Sequence, residues 1–218
     1  MRKKITAIAL LILCFSGLKA QDMIFTLDYN FGYPTGDFEK FTAEPAYRGG
    51  GINYTRFLNS NENIGIGFGL DWQGFYQKVP RSSFPFYANG SSTSTSDINA
   101  VQFRYTYTTP IMAGLDYYFI KDAGFLPYVG INLGIAYTEQ ELYVSAYDNE
   151  INTSWDFAYG VEAGFHLVFG ESGLGLNLIG KYNMSTYSHT FSNVQFETKQ
   201  GSYASVGIGL SFLMLNYY

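Results

Sequence analysis

Six side chains in this 218-residue chain have the types to do chemistry together: Asp28, Asp71, Arg104, Glu162, His166 and Lys181. Carboxylates beside an imidazole and an amine could form a proton relay or a polar ligand site. The same set, holding both signs of charge, could equally pair off into a filler, since buried charges are tolerable only when paired. His166 and Glu162 are four residues apart, roughly 13 Å along an extended strand, which is too far for a direct acid–base pair. We therefore read the set as a paired polar cluster, with catalytic, cofactor-binding and metal roles assigned to none of its members.

Other chemistry is thinner. Ser188, His189 and Ser192 supply a hydroxyl and a base of the kind a lipid hydrolase uses. A nucleophile, a base and an orienting group must converge in space, which adjacency on one segment does not provide. Asp148, Asn149 and Glu150 offer oxygens to a cation, but such a run is also an ordinary polar turn. Gly65, Gly67 and Gly69 alternate with bulky residues and no helix follows them, so they are no phosphate loop. One Cys, at position 14, builds neither a zinc cluster nor a disulfide framework. No nucleotide or redox cofactor is implied.

The elements that must position these residues have a period of two. From Ile64 to Tyr76 the even positions are Ile64, Ile66, Phe68, Leu70, Trp72, Gly74 and Tyr76, against Gly65, Gly67, Gly69, Asp71, Gln73 and Phe75. The same division marks 23–33, 126–142, 154–168 and 204–214, and segments 48–57, 101–119 and 174–187 bring the count to eight strands. One face is bulky and apolar. The other is glycine with scattered charge, too small to form a water-facing surface and suited to the crowded interior of a narrow barrel. No segment reaches 18 consecutive apolar residues, and a membrane core accepts only helices or closed barrels. The chain thus reads as an all-β, eight-stranded, antiparallel up-and-down transmembrane β-barrel with its apolar face toward lipid.

The connections alternate in length. Leu58–Asn63, Ile120–Gly124 and Phe169–Gly173 are short; Pro34–Tyr47, Val79–Asn99, Ser145–Asn152 and Ser188–Gln200 are generally longer. That order matches periplasmic turns and extracellular loops. Pro110, inside the fourth strand, removes a ladder donor and suggests a bulge, which would reverse the facing of residues up to Phe119, Asp116 among them. In the third loop, Phe84, Pro85, Phe86 and Tyr87 are expected to pack on their hairpin, beside the Ser/Thr tract Ser91–Ser96.

Residues 1–20 have the layout of a signal peptide: Arg2, Lys3 and Lys4, the apolar run Ile5–Phe15, then Ser16, Gly17 and Ala20. The barrel domain is then 21–218. The leader holds four of the 13 bases (Arg2, Lys3, Lys4, Lys19) and no acid, which leaves nine bases against 18 acids, a net charge of −9. Such an acidic chain argues against a nucleic-acid partner.

Three segments carry a family likeness. Gly32-Tyr33-Pro34-Thr35-Gly36-Asp37-Phe38 resembles a Pro-x-Gly-Asp-Phe exit from a first strand. Thr109-Pro110-Ile111 through Asp116-Tyr117-Tyr118-Phe119 resembles a mid-barrel strand carrying Pro and ending in aromatics. The alternating last strand ending in Tyr218 is similar to the signal read by the barrel-insertion machinery, departing from it at Asn216. On these segments the chain resembles the small eight-stranded outer-membrane β-barrels of the OmpA/OmpX/OmpW-like type, including the outer membrane beta-barrel domain proteins of Bacteroidetes. The resemblance implies export to the outer membrane of a Gram-negative bacterium, with outer-membrane lipid and the insertion machinery as partners. The expected function is structural or surface-interacting, without enzymatic activity and with a lumen filled by polar side chains. Loops 34–47 and 79–99 are the candidate contacts for an extracellular protein or glycan. The alternatives are a lipid-modifying hydrolase and a small-solute pore.

Overall fold

The computed structural model describes residues 22–58, 61–87, 95–120, 124–145 and 148–214. The leader, most of the Ser/Thr tract and the end at Tyr218 lie outside the described residues. Eight strands form the wall: β1 (Met23–Thr35), β2 (Arg48–Leu58), β3 (Asn61–Tyr87), β4 (Thr95–Tyr118), β5 (Phe125–Val144), β6 (Asp148–Val168), β7 (Leu174–Ser185) and, after a short hairpin, β10 (Gly201–Met214). Every neighbour along the wall is antiparallel, and pairing of β1 with β10 closes the ring. The expected all-β barrel is the fold.

The faces are the inverse of a water-soluble barrel. On β1, Phe25, Leu27, Tyr29, Phe31 and Tyr33 are exposed, while Ile24, Thr26, Asp28 and Asn30 are buried. On β3, Ile66, Phe68, Leu70 and Trp72 are exposed, while Asp71, Gln73 and Phe75 are buried. An apolar belt of this extent around a closed sheet is a lipid-facing surface.

Two sequence expectations need correction. Pro110 carries no bulge: Leu70 pairs with Ile111 and Gln73 with Thr108 in one unbroken register, and the β4–β5 ladder runs straight through Pro110 opposite Ala136. The missing donor is accommodated by a lapse in the β3–β4 ladder at Asp71 and Trp72, with no inserted residue. Parity therefore holds, and Asp116 points inward, 4% exposed. The irregularity between β3 and β4 falls higher, between Val79 and Ser82.

The long third connection is mostly strand. β3 and β4 stay paired up to Tyr87 and Thr95, so the hairpin rises well past the belt. Phe84 and Ile98 on it pack against a buried cluster of Phe41, Ala100, Leu142, Val144 and Phe191.

The first and fourth long connections fold inward as a cap. Helix α1 (Gly36–Phe41) follows β1, with Gly36 at φ +60°, a conformation few other residues adopt. Its Phe38 and Phe41, three residues apart, fall on one helix face and are both buried. The hairpin β8 (His189–Phe191) and β9 (Phe196–Thr198) lies against α1, where the Phe41 and Phe191 rings stack at 4.8 Å. Tyr87 N donates to Asn193 O at 2.9 Å, joining the cap to the β3–β4 hairpin.

Candidate functional site

The lumen is filled in layers. At the end near the short turns, Ile24, Phe57, Tyr118, Leu126, Tyr128, Ile179 and Leu213 form an apolar floor. At the loop end, one cluster holds Phe38, Ala46, Phe75, Tyr187 and Tyr203, and the cap cluster lies over it. Between floor and cap sits a polar layer.

Glycine makes room for that layer. Asp28 lies across from Gly51 on β2 and Gly209 on β10; Asp71 lies across from Gly51; Asp116 lies between Gly65 and Gly130. A Cβ added at Gly51 would collide with Asp71 Oδ1, at Gly130 with Asp116 Oδ1, and at Gly209 with Asp28 Oδ1. Each carboxylate folds into the space its cross-strand glycine leaves empty. This is the physical origin of the alternation of glycine with charge.

Lys181 is the centre. Its Nζ donates to Asp71 Oδ2 at 2.8 Å and Oδ1 at 3.0 Å, and to Asn53 Oδ1 at 3.2 Å. Asp28 accepts from Asn177 and from Asn53, each at 2.8 Å. Asn30 donates to Asp71 Oδ1, Thr55 to Asp116 Oδ2, and Asn132 to Glu162 Oε2 at 2.7 Å. Glu162 stands directly opposite Lys181 across the β6–β7 ladder. The asparagines and Thr55 escaped the sequence reading because they carry no charge; their inward parity was the available signal.

Two members of the six-residue set lie elsewhere. His166 belongs to the floor, stacked on Tyr128 at 5.1 Å and on Tyr118 at 6.1 Å, with Nδ1 2.8 Å from Ser211 Oγ. Arg104 belongs to the cap. Its guanidinium bonds Gln102 Oε1 at 2.7 and 3.0 Å, reaches the carbonyls of Lys40 and Phe41, and lies 5.5 Å over the Phe41 ring and 5.7 Å over Phe196. A cation over two rings pins both halves of the cap to β4. Asp28, Asp71, Glu162 and Lys181 do converge, with Asp116 beside them.

The arrangement orders charge around Lys181. Among the described residues no group of three or more His, Cys, Asp or Glu is placed to hold a metal ion. His189 Nε2 lies 3.6 Å from Glu150 Oε1, and no serine hydroxyl is joined to the ring among the described residues. Burial pushes the His189 imidazole below its ordinary value, and Glu150 opposes that only in part. An imidazole freed from the cap takes up a proton more readily than the docked one, so docking weakens as pH falls through about 6.5. Protection factors of β8 and β9 amides, taken after division by the pH-dependent intrinsic exchange rates, should be lower at about pH 5 than at neutrality, and His189→Asn should remove that dependence, as read by hydrogen-exchange mass spectrometry.

No protein-family model matches the chain, and no curated protein matches its sequence. Solved structures do resemble it. The Neisserial surface protein A is 10% identical with a TM-score of 0.49, over 89% of this chain and 97% of that one. Ail of Yersinia pestis is 12% identical at 0.49, over 88% and 99%, and OprG of Pseudomonas aeruginosa is 13% identical at 0.47, over 89% and 96%. At such identities and scores the likeness carries no role across; the closed ring of pairings establishes the architecture by itself. The chain is an eight-stranded antiparallel β-barrel whose exposed apolar belt makes it a transmembrane barrel.

Proposed function

We propose that the mature chain is a closed, filled barrel of the Gram-negative outer membrane, non-catalytic, working through the surface it presents around its loop end. The observation that carries this reading is the lumen, where an apolar floor, a polar layer centred on Lys181 and an aromatic cap follow one another. A solute would have to displace all three layers. What remains available to a partner is the outer wall, the rising β3–β4 hairpin and the connection 34–47. Outer-membrane lipid and the insertion machinery are its expected partners, with an extracellular protein or glycan at the loop end.

Fractionation and conductance test this together. The protein should partition with the outer membrane and migrate differently on gels before and after heating, because a closed barrel resists detergent until heated. In planar bilayers the folded monomer should give no stable large openings. Recovery as a soluble periplasmic protein overturns the location; stable openings overturn the filled lumen.

A further inference from the structure

The outer wall has a gap in its aromatic belt at Gly74. On β3 the outward column reads Trp72, Gly74, Tyr76, and the residues facing Gly74 across the two ladders are Tyr107 on β4 and Arg48 on β2. A Cβ at Gly74 would stand 3.2 Å from the Tyr107 ring and 3.3 Å from Trp72, so any side chain there would begin to fill the space. The resulting notch has a volume of about 430 Å³ and is walled on its remaining side by Glu44 to Tyr47. That wall is held by the paired backbone bonds between Gly32 and Ala46, at 2.8 and 2.9 Å.

The lining combines flat apolar faces with unpaired charge. Trp72 and Tyr107 lie within 16° of parallel at 6.4 Å, and Tyr105 lies within 13° of Tyr107 at 6.2 Å. Glu44 and Arg48 are both exposed and form no ion pair among the described residues. An acyl chain would satisfy the rings and leave both charges idle. A phosphate alone would suit Arg48 but would face Glu44 and ignore the rings. A pyranose ring satisfies all of them: its C–H face stacks on an aromatic ring while its hydroxyls bond an acceptor at Glu44 and a donor at Arg48.

Depth selects the source. The notch opens on the outward face, at the level of the Trp and Tyr belt that marks a membrane–water boundary. We propose that it binds the sugar headgroup of a glycolipid in the outer leaflet, one headgroup per barrel. This rests on the outer-membrane reading above and names a ligand class for its wall.

Trp155→Phe leaves Trp72 as the one indole in the chain, since Trp occurs only twice. The full mature chain carrying that change, shown to be folded by heat-modifiable migration, is placed in phosphatidylcholine nanodiscs and titrated with monoglucosyl diacylglycerol. Trp72 emission should shift and saturate. Arg48→Ala, on an exposed residue, should weaken binding roughly tenfold, the value of about one hydrogen bond from a charged donor. Gly74→Val should abolish the shift. The same response to diacylglycerol or phosphatidylglycerol would overturn sugar recognition, and the same response to free methyl glucoside would overturn the lipid source. An unchanged titration in both variants would overturn the site. Cell fractionation does not enter this titration, so a barrel that locates correctly but ignores the glycolipid refutes this inference alone.

Discussion

Lys181→Met should destabilise the folded barrel by about 3–5 kcal/mol, the loss expected when one partner of a buried ion pair is removed. The Lys181 and Asp71 side chains are only 4% and 10% exposed, and both Asp71 oxygens accept from the same ammonium. Without it Asp71 keeps a single bond from Asn30, and Asp28 and Glu162 lose the nearest positive charge. Methionine fills most of the vacated volume, so packing contributes little to the loss. The control is Lys181→Met with Asp71→Asn, which removes both charges and should recover most of the stability. Urea unfolding in detergent micelles, followed by heat-modifiable migration, reads both proteins. If the single variant unfolds where the parent does, the polar layer is not held together by this pair.

The strands and their faces were legible because a barrel wall imposes a period of two, and the sequence obeys it along the wall strands. Height was not legible. Arg104 has the inward parity of Asp116 on the same strand, yet it pairs opposite Gln77 and Leu142, six residues beyond Pro110 and so roughly 20 Å further along β4. Parity assigns a face; only the register of neighbouring strands assigns a layer. His166 was misplaced for the same reason, toward the floor. The cap was hidden differently. The Phe38 and Phe41 spacing is one turn of a helix only six residues long, which no propensity window resolves, and its partner Phe191 lies in another loop. Long-range packing in the mouth of the barrel made that helix, and local sequence could not report it.

Phe68→Arg should lower stability by roughly 2–4 kcal/mol, the range for arginine on the lipid face at the midplane of such a barrel. Phe68 stands midway between Ile64 and Trp72 in the outward column of β3. Ile64, four residues toward the short turns, pairs with Tyr117, and Trp72, four residues the other way, belongs to the loop-end belt. Phe68 is 54% exposed, so lipid is its main contact. Phe68→Leu should accordingly be nearly silent, because lipid asks for bulk and apolarity and makes little demand on shape. Gly67 tests the opposite face one residue away. A Cβ there would meet Tyr54 O at 3.0 Å and Thr55 Oγ1 at 3.2 Å, so even alanine must push backbone, and arginine cannot enter without displacing the wall. Urea titrations in lipid vesicles compare the four variants. A folded barrel in which Phe68→Arg is silent and Phe68→Leu is costly would place residue 68 inside, and would reverse the two faces throughout the wall.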